Sequence, residues 1–322
     1  MRESFSYGSH CVEVDGLEPT TIAWLVENLC PSFDTRSSGD NPYRIECLFD
    51  PSVCERFERE GEARGLSDLA LFSMDGYAAS HPGWKSDDGW WTILDSELRC
   101  IYRINRSCRS IQLLATHPRE SVRIALLRLI REIASQEFLV GNASHPHAAA
   151  ASAEGSGILI CGPKRAGKTT LLSLLLQKGA DYIANDRSVI CRDVDSEVLL
   201  SGMPTVVSVR QDTVSLIKEL VPAQGWGWLA RYTLGESRQR EQVSNSAAAA
   251  NSLSISPAQY CSLMGRPPIS VAPLKYLLFP RVDTRVRGIE IQPIKSWDAA
   301  TRLHENQLEI SQTVFTVPGG QY

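Results

Sequence analysis

The sequence predicts a mixed α/β chain of two domains, and three observations in its 322 residues carry that prediction. From Val12 to about Thr116 short apolar stretches are broken by turn formers, the rhythm of a mainly antiparallel, smaller α+β domain. "HPRESVRIALLRLIREIASQ" then changes to a helical period. After it, "GILICGPKRAGKTTLLSLLLQKGADYIAND" sets an apolar strand, a glycine-rich turn, a leucine-rich helix and another strand in series. The expected division is 1–118, an N-terminal module that faces a substrate or partner, and 119–322, a catalytic domain built on the glycine-rich turn.

Taken in order, "TTIAWLVENL" behind Pro19 reads as a short helix, and "YRIECLFD" and "WWTILD" read as strands. "ELRCIYRI" and "RSIQLLAT" flank the polar "NRSC" and read as a hairpin. In the amphipathic helix, Val122, Ala125, Leu126, Leu129, Ile130 and Ile133 recur at helical spacing, and this helix is expected to open the second domain. "HAAAAS" and "ILICG" are expected strands either side of the turn "AEGSG", followed by a helix from Lys168 to about Lys178 and a strand ending "YIAND". "VLLSGMPTVVSVR" and "APLKYLLFPRV" read as further buried strands. Between them an insertion near 222–252, carrying Trp226 and Trp228, is poor in apolar residues and reads as a mobile surface loop, with a lid over the substrate as the sharper reading.

Charge and cysteine usage narrow the function classes. With 33 Lys+Arg against 37 Asp+Glu, a formal net charge of -4, no basic field exists to hold a nucleic-acid backbone or an anionic membrane. No window is apolar for the roughly 18 residues of a membrane helix, and "MRESFSYGSH" has no apolar signal core. The nine cysteines are scattered and never spaced C-x-x-C, so reduced, partly buried thiols are expected. These features together predict a soluble cytoplasmic protein.

"GPKRAGKTT" completes the pattern G-x-x-x-x-G-K-[ST] at Gly162, Gly167, Lys168 and Thr169. Backbone N–H groups of such a loop and of the helix behind it point at phosphate oxygens, Lys168 reaches the terminal phosphates, and the Thr169 hydroxyl holds Mg²⁺. The nucleotide-binding residues expected are Gly162, Pro163, Lys164, Arg165, Ala166, Gly167, Lys168, Thr169 and Thr170. Lys164 and Arg165 either add charge near the phosphates or sit as solvated loop tips.

Phosphoryl transfer to an alcohol needs a group that takes the hydroxyl proton. Asp186 fits, eighteen residues after Lys168, a length that returns the chain to the phosphate end of a sheet. Its bland alternative is an Asp that caps a turn. His147 stands fifteen residues ahead of Gly162 at the start of the preceding strand, where it can meet Asp186 or serve as an ordinary structural histidine. "HPH" supplies only His145 and His147 as metal ligands, too few for zinc.

These features together resemble the catalytic domain of HPr kinase/phosphorylase and its relatives, which share a core with phosphoenolpyruvate carboxykinase. The resemblance runs from about Ser121 to Arg192 and is looser beyond. It implies a P-loop kinase domain of that type, with Asp186 as proton acceptor, His147 as its helper, Lys168 as phosphate clamp and Thr169 as Mg²⁺ ligand. Arg266 in "MGRPP" loosely matches a catalytic Arg of the family. The first of the family's paired acids is Asn185 here, and "LSGMPTVVSVR" stands where its metal-binding Glu is expected, which puts phosphorylase activity in doubt.

The expected function is a Mg²⁺-dependent, ATP- or other NTP-using kinase that phosphorylates a hydroxyl of a small molecule or modified peptide, a biosynthetic intermediate such as a nucleoside. No nucleic-acid or membrane partner is expected, and a homo-oligomer is allowed. The alternatives are a protein serine kinase acting on a partner protein, and a nucleotide-switched ATPase or binding module, which leaves His147 without a role.

Overall fold

The computed structural model describes residues 1–8, 10–35, 41–74, 77–140, 143–193, 195–210, 213, 252–283, 285–286, 288–308 and 313–315. The chain is a mixed α/β protein that divides into two compact units. One comprises Met1–Val26, Phe33–Asn142 and Leu308–Tyr322, the other Glu27–Ser32 and Ala143–Gln307.

The first unit holds an eight-stranded sheet of β1 (Glu3–Tyr7), β2 (His10–Asp15), β3 (Tyr43–Phe49), β4 (Ser67–Met74), β5 (Tyr77–Lys85), β6 (Trp91–Asp95), β7 (Cys100–Asn105) and β8 (Ser110–Ala115). Their order is β1-β2-β3-β8-β7-β6-β5-β4. The β7–β8 hairpin read from the sequence is present, but β2–β3 and β3–β8 are parallel, so the sheet is mixed. Helix α1 (Pro19–Leu29) precedes β3, and α2 (Pro51–Ala63) leaves it through the cap Asp50, whose carboxylate accepts from the N–H groups of Ser52 and Val53. Cys54 and Phe57 of α2 pack with Trp84, Ile101 and Leu114.

Helix α3 (Glu120–Val140) is the amphipathic helix of the sequence, and its six periodic apolar residues are all buried. It packs on β2, β4 and β7, so by its contacts it belongs to the first unit rather than opening the second. The apolar stripe needed a sheet face to cover, and the nearest one precedes it.

The second unit is built on β9 (Ala148–Ala153), β10 (Ser156–Cys161), β11 (Asp181–Ala184), β12 (Ser188–Arg192), β13 (Val198–Gly202) and β16 (Val271–Leu278), in the order β11-β9-β10-β16-β13-β12. Strand β16 is shared: its first residues pair with β13 and its later ones run parallel to β10. The sheet therefore bends, and the β12–β13 hairpin lies over β9 and β11, where a Cβ on Gly202 would come within 2.3 Å of the Ile183 carbonyl oxygen.

Four consecutive alanines of β9, Ala148 to Ala151, explain how layers approach so closely. Ala149 and Ala151 face one cluster, with Leu172 and Leu176 of α4 (Lys168–Gln177), Tyr260 and Leu263 of α5 (Pro257–Met264), and the hairpin of β14 (Val207–Arg210) and β15 (Ser252–Ile255). Ala148 and Ala150 face the other, with Leu159, Ile183 and Leu200. A larger side chain at any of these positions would overfill a closed layer. Helix α5 starts on a reciprocal capping box, Ser256 with Gln259, and stops at Gly265 in the left-handed region. The last helix, α6 (Ser296–Glu305), has no buried residue. Of the insertion expected near 222–252, only Ser252 is among the described residues, and Trp226 and Trp228 lie outside them.

Candidate active site

Strand β10 ends in the glycine-rich loop, and strand pairing decides what stands beside it. Ala148 at the start of β9 is opposite Cys161, so His147 stands next to Gly162. Strand β11 runs antiparallel to β9 with Ala184 opposite Ala150, so Asp186 arrives at the same edge. The two meet there: His147 Nε2 lies 2.8 Å from Asp186 Oδ1, both side chains about one-third exposed or more. An ionised carboxylate only accepts, so the imidazole is the donor.

Backbone anchors hold this pair in register. Ser188, two residues past Asp186, donates its N–H to the Pro146 carbonyl at 3.2 Å and its hydroxyl to the Ala148 carbonyl at 2.9 Å, gripping both neighbours of His147. The His147 N–H donates to the carbonyl of Asn306, just past α6, at 2.7 Å. Ser144 Oγ donates to Gln307 Oε1 at 2.8 Å.

Burial alone would raise the Asp186 carboxyl. The hydrogen bond from His147, its ring and the positive charges of Lys168 and Arg187 outweigh burial and hold it below the usual carboxylate value. Asp186 is therefore an ionised acceptor at neutral pH.

In the loop, Gly162 follows the end of β10, Arg165 has φ 73° and Gly167 φ 94°, and α4 begins at Lys168. Among the described residues no side chain caps the first turn of α4, which leaves its leading N–H groups open to an anion. Pro163, Lys164 and Arg165 are exposed, while Ala166 and Gly167 are half-buried. Lys168 is buried and folds back on the loop, its Nζ donating to the Gly162 carbonyl at 2.6 Å and more weakly to Pro163 at 3.4 Å. Burial lowers its pKa, against the opposing pull of Asp186 and Cys161. Lysine and aspartate are thus within electrostatic reach of each other.

Thr169 is half-buried, and among the described residues its hydroxyl has no hydrogen-bond partner. Its carbonyl takes the Ser173 hydroxyl at 2.8 Å, and Ser173 shares a 2.7 Å bond with Tyr260, which ties α4 to α5. The Thr170 hydroxyl lies 3.0 Å from that of Thr213.

Two residues have fixed structural work. Asn185 is buried, its Oδ1 accepting from Tyr182 OH at 3.0 Å and Thr205 Oγ1 at 3.1 Å while Nδ2 donates to the Val206 carbonyl. That amide locks the turn carrying Asp186 and has no oxygen to spare for a metal. Arg266, expected as a catalytic residue, is not brought to this edge. It donates to the carbonyls of Gly179 and Ala180 and to Asp181 Oδ1 at 2.8 Å, at the opposite end of β11. These bonds hold the guanidinium at the start of β11, away from the glycine-rich loop at the far end.

His145 is buried away from this chemistry; burial, aided by the Arg187 charge, lowers its pKa to about 4. Among the described residues no three His, Cys, Asp or Glu side chains cluster as a metal site. All nine cysteines are free thiols, and burial pushes Cys161, at the end of β10, up to about 12. Among the described residues no helix is long and apolar enough to cross a membrane. Sequence reasoning missed Ser188 and Asn306, whose roles lie in long-range backbone bonds that leave no local pattern. A scan against protein-family models gives no match to this chain, and a search of curated proteins gives none.

Proposed function

We propose that the chain is a Mg²⁺-dependent NTP:alcohol phosphotransferase, with a P-loop kinase domain of the HPr kinase/phosphoenolpyruvate carboxykinase type. The observation that carries this reading is the His147–Asp186 pair, 2.8 Å apart, at the same strand edge as the glycine-rich loop. A switch ATPase needs only a group that positions water beside its phosphates and leaves His147 without a role.

Each residue has a role in that reaction. The loop amides and the N-terminus of α4 cradle the phosphates. Lys168 exchanges the Gly162 carbonyl for phosphate oxygens, where its charge stabilises the leaving group. The acceptor hydroxyl approaches the γ-phosphoryl in line and passes its proton to the Asp186 carboxylate. His147 orients that carboxylate. Thr169 is the side chain that fits Mg²⁺, since its hydroxyl is uncommitted among the described residues, and this ion usually takes one or two protein ligands beside phosphate oxygens and water. When bound, Mg²⁺ supplies charge neutralisation on the phosphates. The acceptor is a hydroxyl of a small molecule or modified peptide, such as a nucleoside intermediate.

The test is incubation of cell extract with γ-labelled ATP and wild-type or Asp186→Asn protein, read by mass spectrometry. A labelled acceptor that appears with wild type and fades with the variant supports the proposal. ATP hydrolysis with no labelled acceptor points to the switch instead.

A further inference from the structure

The two neighbours of β10 give the loop two different flanks. On one side β9, and β11 beyond it, bring His147 and Asp186. On the other, β16 runs parallel to β10 with Leu278 opposite Ile160, so its continuation through Pro280, Arg281 and Val282 leaves the sheet beside the loop. Contact distances show how close it passes. The Pro280 carbonyl oxygen is 3.7 Å from where a Cβ on Gly162 would stand, and Val282 Cγ2 is 3.2 Å from the equivalent point on Gly167.

Val282 is 68 % exposed on this rim. The carboxylate that follows does not make the flank acidic. Asp283 is held in a two-point ion pair by Arg285, with Nε to Oδ1 at 3.0 Å and Nη2 to Oδ2 at 2.7 Å.

We infer that Pro280–Val282 is the nucleoside platform of the phosphate loop, with the Val282 side chain as apolar surface beneath the ribose or base. This rests on the phosphate-loop kinase reading and deepens it. If the reacting γ-phosphoryl faces Asp186, the rest of the nucleotide must extend the other way across the loop. The step from β9 to β16 is two strand spacings, about 10 Å, the scale of a triphosphate chain. An exposed apolar side chain at that point is what a sugar or base edge covers, and contact of Val282 Cγ2 with Gly167 keeps it in place.

The experiment compares binding of ATP and of inorganic tripolyphosphate to wild type, Val282→Ser and Lys168→Ala by calorimetry. Val282→Ser alters an exposed side chain and is expected to fold with an unchanged melting temperature. It should weaken ATP about fivefold and leave tripolyphosphate unchanged, while Lys168→Ala weakens both ligands. Equal losses of ATP and tripolyphosphate in Val282→Ser would mean that Val282 acts by shaping Gly167, and would overturn the platform; so would no loss of either. Undiminished binding of both ligands by Lys168→Ala, or none by wild type, would instead overturn the phosphate-loop reading itself.

Discussion

Asp186 and His147 stand thirty-nine residues apart in sequence yet share a 2.8 Å hydrogen bond, because Ser188 grips the chain on both sides of His147. On the proposed reading, the base is thereby oriented before any substrate arrives, and little reorganisation would be left for the moment of transfer.

Replacing Asp186 by Asn should cut phosphoryl transfer by about 10²–10⁴ while ATP affinity holds, since the loop is untouched. Steady-state rates beside equilibrium binding separate the two. Because the folded carboxyl lies below its ordinary value, the acid limb of kcat/KM that Asp186 contributes should fall below about pH 4.

Lys168→Ala should lose nucleotide affinity and rate together, because the same ammonium serves ground and transition states. A variant that lost rate alone would move Lys168 out of ground-state binding.

Gly167→Ala places a Cβ at φ 94° and 3.2 Å from Val282. The left-handed conformation alone costs a non-glycine residue about 1–2 kcal/mol. A lower melting temperature and weaker ATP binding are expected, both measurable on the purified protein.

Arg266→Ala should destabilise the fold by about 1–3 kcal/mol, because it strips partners from the Gly179 and Ala180 carbonyls and from Asp181. ATP affinity and KM should stay near wild type when measured well below the melting temperature. A large kcat loss without destabilisation would restore the catalytic role expected from sequence.

His145 gives the chain an acid-sensitive stability. Its folded pKa of about 4 lies below the unfolded value of 6.5, so between those values the unfolded state binds the extra proton. Stability from this group is present above pH 6.5 and is lost as pH falls towards 4, up to about 3 kcal/mol. Denaturant titrations from pH 7 to 4.5 should show that slope, and His145→Gln should flatten it.

Much of the second unit could be read from local pattern. The loop, the helix behind it and the strand ending at Ala184 each have their own periodicity, and counting along them put His147 and Asp186 at one edge. Helix α2 was equally readable and went unread: Asp50 and Pro51 mark its start, and Cys54, Phe57 and Gly61 are its buried face. Its many charged residues masked the short stripe. Two other features have no local signature. The parallel pairings of β3 depend on partners some thirty and sixty-five residues away, and the shared strand β16 is a property of the folded sheet. The place of Arg266 was not legible for the same reason, since its partners lie about eighty-five residues back.

The bond from the His147 N–H to the Asn306 carbonyl sets an order on synthesis. A nascent chain presents its glycine-rich loop long before residue 306 leaves the ribosome, so the loop is made well before the histidine beside it can be seated. On the proposed reading, competence for transfer would then wait for the segment that closes α6.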